Sequence, residues 1–478
     1  MEQSKFIKTL QKLSRRQQNQ YLDFLRSPYF NKNEDIQKFA ELVFAGKVPL
    51  DKEKLFKALY PGKPFNARRI PDLMYKSLKL LEEFLSEEKY ANQTWERKIN
   101  LLSYIRENEL DDLNTVVQKE IQELSARKTL RDSDYFYEEF LYHSETDKMF
   151  LDQARREADQ SLQNKVDQLD LFYLAAKLRE SCEMMNRKQI LTADFEFHLL
   201  EDLLDAIAND IDRYKPYPAI LIYYQIMIML RDPEQTSHYF DLKARIDAHI
   251  HLFGQEEQRS LYGYLQNYCI KKVNRGRSEF YPELLHIYKH MISDNLMRAD
   301  NKNLQWDLKN MVSIALRLGE YQWTLDIINI IKDDLPDDSR DNAYTYNLAN
   351  YYYETKDYKR ATKLLQSVEF TDVAYYLGAK SMLLKMYFEQ EEEEAFYALV
   401  SAFKTYLTRN KLISKATSLT YQNLLKFSRK AFVFKTQLPY QRKASSKKIK
   451  ALKETVLETK NVMNLNWLVK EIDQIFGD

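Results

Sequence analysis

The chain has 478 residues, of which 44% are hydrophobic and 30% charged, with a net charge of +1, two cysteines and only eight glycines. This apolar content excludes a disordered chain, and the near-neutral balance leaves no global field drawing the protein to nucleic acid or membrane. Two cysteines exclude a disulfide framework and a cysteine zinc site, and such scarce glycine excludes a glycine-rich phosphate loop or a nucleophile elbow.

At 57.3 kDa the chain exceeds one ordinary hydrophobic core, so several domains or a long repeat array are expected. Residues 1–90 read as an N-terminal helical domain of short helices, since prolines fall at 28, 49, 61, 64 and 71. The start of the chain carries no apolar signal-peptide core, so a soluble, cytoplasmic protein is expected. A helix-turn-helix is one reading of 55–76. There Pro61-Gly62-Lys63-Pro64 would be the turn, Asn66 would open the second helix, and Arg68, Arg69 and Lys76 would face a groove. The string Ser27-Pro28-Tyr29-Phe30-Asn31-Lys32, with Leu55-Phe56 and Leu78 to Leu85 after it, resembles the N-terminal segment of large uncharacterised Bacteroidota proteins. That resemblance implies a bacterial origin and no particular activity.

Between Pro71 and Pro216 neither glycine nor proline occurs, and apolar residues recur at helical intervals. Residues 91–165 read as a connecting region of long helices, with turn candidates at Asp111-Asp112 and Arg131-Asp132-Ser133-Asp134. Residues 166–300 read as a helical-hairpin solenoid. Its expected pairs are 169–185 with 195–211, 218–230 with a helix opened by Asp232-Pro233-Glu234, and 256–272 with 282–296. The apolar run 219–230 spans about half a bilayer and reads as a buried helix. Cys182 and Cys269 lie in apolar helical surroundings and read as buried thiols.

In 301–412, Leu348, Ala349, Tyr352, Tyr358, Ala361 and Leu365 fall at tetratricopeptide spacing, with partial matches through Gly319, Tyr321, Ile328 and Pro336 before and Met382, Ala395 and Leu399 after. Anchored on Thr324, Ala361 and Ala395, the periods are 37 and 34 residues. The segment therefore resembles tetratricopeptide repeats, and the chain as a whole reads as an all-α solenoid of helical hairpins. In that register Lys309, Arg317, Tyr346, Asn350, Tyr353 and Lys380 line a concave groove for a protein or peptide partner. Lys309 and Asn347 match positions at which related repeats clamp a C-terminal carboxylate, whereas Ser313, Leu377 and Ser381 depart from that pattern.

Residues 413–478 read as basic capping helices. No acidic residue lies between Glu394 and Glu454, while fourteen Lys or Arg do. Lys404, Arg409, Lys411, Lys426, Arg429, Lys430, Arg442, Lys443, Lys447 and Lys448 are the candidate basic patch, with aromatic residues interleaved. Such a stretch binds a nucleic-acid backbone or an acidic partner, docks against the acidic run 389–394 or the acid-rich segment Asp333–Asp341, or forms a solvated cap over an aromatic core. Among the seven histidines, His286, His290 and Glu283 share one helix face but lack the residues of a zinc-protease motif. The chain offers no catalytic, metal or cofactor constellation, and the expected activity is binding.

Overall fold

The computed structural model describes residues 3–152, 160–190, 194–297, 304–366, 373–437, 441 and 445–477. Among the described residues every regular element is a helix. In chain order these are α1 (Lys5–Lys12), α2 (Arg15–Arg26), α3 (Glu34–Ala45), α4 (Lys52–Leu59), α5 (Arg69–Ala91), α6 (Thr94–Glu107), α7 (Asp111–Arg127) and α8 (Ser133–Asp152). Then follow α9 (Ser161–Ile190), α10 (Leu200–Asn209), α11 (Ile211–Tyr214), α12 (Pro218–Arg231), α13 (Ser237–His249), α14 (Gln255–Asn274), α15 (Phe280–Ser293) and α16 (Leu304–Arg317). The last are α17 (Tyr321–Ile331), α18 (Arg340–Glu354), α19 (Tyr358–Gln366), α20 (Val373–Glu389), α21 (Glu393–Arg409), α22 (Lys415–Lys435), α23 (Ser446–Glu458) and α24 (Leu465–Gly477). No helix among the described residues is long and apolar enough to cross a membrane. Contacts divide the chain into two compact units, residues 1–231 with 251–253, and 232–250 with 254–478.

In the first unit, α1–α5 close around Phe6, Tyr21, Leu25, Phe39, Leu55, Leu73 and Phe84. The buried Tyr21 hydroxyl donates to the Ser77 carbonyl at 2.7 Å, so this ring fills the core and satisfies a polar group at once. α5 begins at Arg69, not at Asn66; Pro71 then occupies the first helical turn, where a missing N–H costs no ladder bond. Arg69 is tied to Asp35 and donates to the Tyr60 hydroxyl at 2.9 Å, while Lys76 pairs with Asp72 at 2.9 Å. Two of the three cations of the helix-turn-helix reading are therefore engaged within the unit. Asp111-Asp112 is not a turn but the first turn of α7, where two acids complement the helix dipole. The helix expected from Asp232-Pro233-Glu234 starts at Ser237, and Glu234 instead pairs with Lys272 at 3.1 Å and with Arg275. The run 218–231 is a buried helix, and both cysteines are buried and free.

In the second unit, α16/α17, α18/α19 and α20/α21 are three successive hairpins, and α16, α18 and α20 pack in series. Their second helices begin at Tyr321, Tyr358 and Glu393, 37 and 35 residues apart. Each hairpin turns the same way. Gly319, Lys356 and Glu391 adopt positive φ (77°, 65° and 57°), two residues beyond the preceding helix. The next amide then bonds back across the turn, Glu320 to Ala315, Asp357 to Tyr352 and Glu392 to Tyr387, at 2.8–3.0 Å. Glu109 and Asn295 close α6 and α15 in the same conformation. Helical turns that favour glycine are thus made largely without it, each at a cost of about 1 kcal/mol or more. The last core joins Phe388, Phe396, Phe403, Leu424, Phe427, Phe432, Ile449, Leu468 and Ile472 of α20–α24.

Candidate partner-binding cleft

The residues expected to line a tetratricopeptide groove are mostly consumed by packing. Tyr346 and Tyr353 are only 8% and 4% exposed, so neither is an open anchor. Tyr346 packs edge-on against Tyr375, which stacks on Trp306, and the Lys309 ammonium lies 5.1–5.7 Å from all three ring centres. This is an aromatic cage filled by the chain's own cation. The approach of Tyr346 to α20 is possible because position 378 is glycine; a Cβ there would lie 2.8 Å from the ring. Asn347 is fully buried and donates to the Ala343 carbonyl at 2.8 Å. Lys380 is half-buried above the Tyr376 ring at 5.0 Å, and burial pushes its ammonium below the ordinary lysine value. Asn350 is half-buried. Arg317 is exposed and rests on Tyr281, 4.7 Å from the ring centre. The structure thus brings together Lys309, Tyr346 and the aromatic rings, but as core rather than as groove.

A half-buried anion lies beside them. Glu389, at the end of α20, accepts from the Tyr353 hydroxyl at 2.5 Å, the Trp467 indole at 2.9 Å and the Tyr358 hydroxyl. Burial raises its carboxyl pKa, but hydrogen bonds from Tyr353, Tyr358 and Trp467 outweigh this and hold it below its ordinary value. With these three donors and the Lys356 ammonium at 3.4 Å, Glu389 fastens α18, α19 and α24 to α20.

The basic stretch has a different arrangement. α22 starts at the cap Ser414, whose hydroxyl accepts from the Thr417 amide at 3.1 Å. Tyr421, Leu424, Phe427, Ala431 and Phe432 form its buried face. Phe432 stacks on Phe396 of α21 at 4.2 Å, and Phe403 meets Tyr421 at 5.8 Å. The interleaved aromatic residues therefore fix α21 against α22 from the inside. Outside this seam lies a cleft of about 500 Å³. Lys404 of α21 and Lys426, Arg429 and Lys430 of α22 rim it, and Val400, Leu419, Leu425 and Val433 supply apolar lining. Leu419 and Val433 are 49% and 45% exposed.

Charge pairing sorts the rest of the stretch. Lys435 pairs with the buried Glu471 at 3.1 Å, and Lys453 with Asp473 at 2.6 Å. Lys404, Lys426, Arg429 and Lys430 form no ion pair among the described residues, nor do Glu391, Glu392, Glu393 and Glu394. The docking of this stretch onto the acidic run is accordingly not what the fold contains. Arg409, Lys411, Lys447 and Lys448 are exposed outside the cleft. Arg442 and Lys443 lie outside the described residues. The exposed Leu419 and Val433 are the elements of this site that charge counting alone did not mark; their three- and four-residue spacing with Gln422, Lys426 and Arg429 was the available signal.

His286 and His290 stand 4.4 Å apart between ring centres, and His290 faces Tyr262. Glu283, the third member of that face, is taken by Lys243 at 2.6 Å and by the Tyr239 hydroxyl at 3.1 Å. Among the described residues no three His, Cys, Asp or Glu side chains are placed to hold a metal ion. No family model, curated protein or solved structure matches the chain.

Proposed function

We propose that this protein is a non-enzymatic, cytoplasmic helical-repeat adaptor that binds an acidic, partly apolar segment of a protein partner in the α21–α22 cleft. The observation carrying this reading is the set of four cations without carboxylate partners around exposed Leu419 and Val433. Carboxylates of the bound segment meet Lys404, Lys426, Arg429 and Lys430, and its apolar side chains cover Leu419 and Val433. Apolar burial supplies about 25 cal/mol per Å² before the costs of association, while the cations set orientation and speed of encounter. The site moves from the tetratricopeptide groove to the neighbouring cleft, and the hairpins act as its rigid support.

Nucleic acid is the second reading, favoured by the same unpaired cations. Against it, the aromatic side chains that would stack on bases are inside: Phe403, Tyr421, Phe427 and Phe432 are at most 8% exposed. The two readings separate in one competition experiment. A labelled amphipathic peptide of Glu and Leu at helical spacing is titrated with the full chain, then challenged with single-stranded DNA of equal charge. Tight peptide binding that the DNA does not displace is expected. Preferential DNA binding would replace the first reading with the second.

A further inference from the structure

The first unit holds a separate concavity of about 320 Å³, walled by α9 and the α11 region. Asp167 and Asp170, one helical turn apart, contribute carboxylates from α9, and Arg213 contributes a guanidinium from α11. The rings of Tyr173, Tyr214 and Tyr217 complete the wall. Two of these rings are positioned by packing: Tyr214 is 8% exposed, and Tyr217 meets Phe136 edge-on at 5.9 Å. Arg213 lies 5.9 Å from the centre of the Tyr214 ring. Asp170 and Arg213 thus have opposite charge and border one cavity, yet neither forms an ion pair among the described residues. Asp167 uses one oxygen to accept from Gln163 at 2.8 Å.

Opposite charges that line one concavity without pairing are matched by a ligand carrying both counter-charges. We propose that this concavity binds a free α-amino acid. Its ammonium group sits against Asp167 and Asp170, and its carboxylate takes the two-pronged donor geometry of Arg213. The ligand's side chain lies along the tyrosine rings, which offer apolar area and, to a cationic group, an electron-rich face. The volume is at the lower end of small-molecule sites, which suits one amino acid better than an extended peptide. A pure anion would meet two carboxylates, and a pure cation would meet Arg213, so both charges of the ligand are required. The site lies in the first unit and does not depend on the α21–α22 cleft.

The test is saturation-transfer NMR on the full chain with each of the twenty common L-amino acids, followed by titration of any that respond. At least one is expected to saturate, and its N-acetylated and its decarboxylated forms are each expected to bind about tenfold or more weakly, a loss of one ion-pair's worth of affinity. These ligand arms require no altered protein. Asp170→Asn and Arg213→Gln, both at exposed positions, are expected to weaken binding to the same extent with unchanged circular dichroism. Absence of saturation up to about 10 mM would overturn the proposal, as would equal binding of the one-charge derivatives or binding that survives both substitutions.

Discussion

Removing the Glu389 carboxylate should loosen the C-terminal helix, because the carboxylate ties α24 to α20. Glu389→Ala leaves the Tyr353 hydroxyl and the Trp467 indole without their acceptor, in a region where Tyr353 is 4% exposed. Each buried donor so orphaned costs about 1–3 kcal/mol, so a combined loss of about 3 kcal/mol is expected. Glu389→Gln keeps one acceptor oxygen and should cost about half of this. Because the chain has two units, a global denaturation midpoint would average the effect away; hydrogen exchange resolved to α24 reads it directly. In Glu389→Ala, protection of the α24 amides should fall about 100-fold, with the α1–α5 amides unchanged. Wild-type protection in α24 would refute the reasoning. The pH dependence follows the same group. Its folded pKa is depressed, so its contribution is complete above the usual glutamate range and is lost as pH falls through the folded value. Wild-type α24 should therefore lose protection as pH falls below the ordinary glutamate range, and Glu389→Gln should lose less over the same interval.

Gly378→Ala places a methyl group 2.8 Å from the Tyr346 ring and should destabilise by about 1–3 kcal/mol, with altered near-ultraviolet circular dichroism from the Trp306–Tyr375 stack. Wild-type stability and spectrum would contradict that packing. Glu391→Gly relieves a positive φ of 57° and should stabilise by up to about 1 kcal/mol, whereas Gly319→Ala at φ 77° should do the reverse; calorimetry on the second unit's transition reads both signs. Lys435→Met leaves Glu471, 5% exposed, without its cation and should cost about 3–5 kcal/mol, and a Lys435→Met, Glu471→Met double variant should recover most of it. A single variant as stable as the wild type would show that the pair is not holding α22 to α24.

The helical fold was legible because apolar spacing and the long interval without glycine or proline are local properties. The turns were less so. No glycine marks the left-handed positions at Glu109, Asn295, Lys356 and Glu391, which adopt that conformation because flanking helices fix the geometry and the strain is small beside their packing. The start of α13 lies later than the local capping signal places it, and Glu234 pairs with Lys272 and Arg275, residues about forty positions later that local reading does not see. The basic stretch was legible as composition, but not which cations stay unpaired: Glu471 and Asp473 lie beyond it in sequence and neutralise Lys435 and Lys453. Likewise, repeat spacing placed Tyr346 and Tyr353 on α18, but both are buried against neighbouring helices, Tyr346 beside a glycine of α20.

The most direct measurement is site-directed crosslinking within the cleft. A benzophenone side chain replacing Leu419, 49% exposed, is illuminated with the acidic Glu/Leu peptide, beside a control replacing Ile330, 65% exposed in α17. The peptide should be captured from position 419 and not from 330, and Lys404→Glu, Lys426→Glu, Arg429→Glu and Lys430→Glu together should abolish capture. Equal capture from both positions, or capture that survives the four reversals, would contradict a binding role for the α21–α22 cleft.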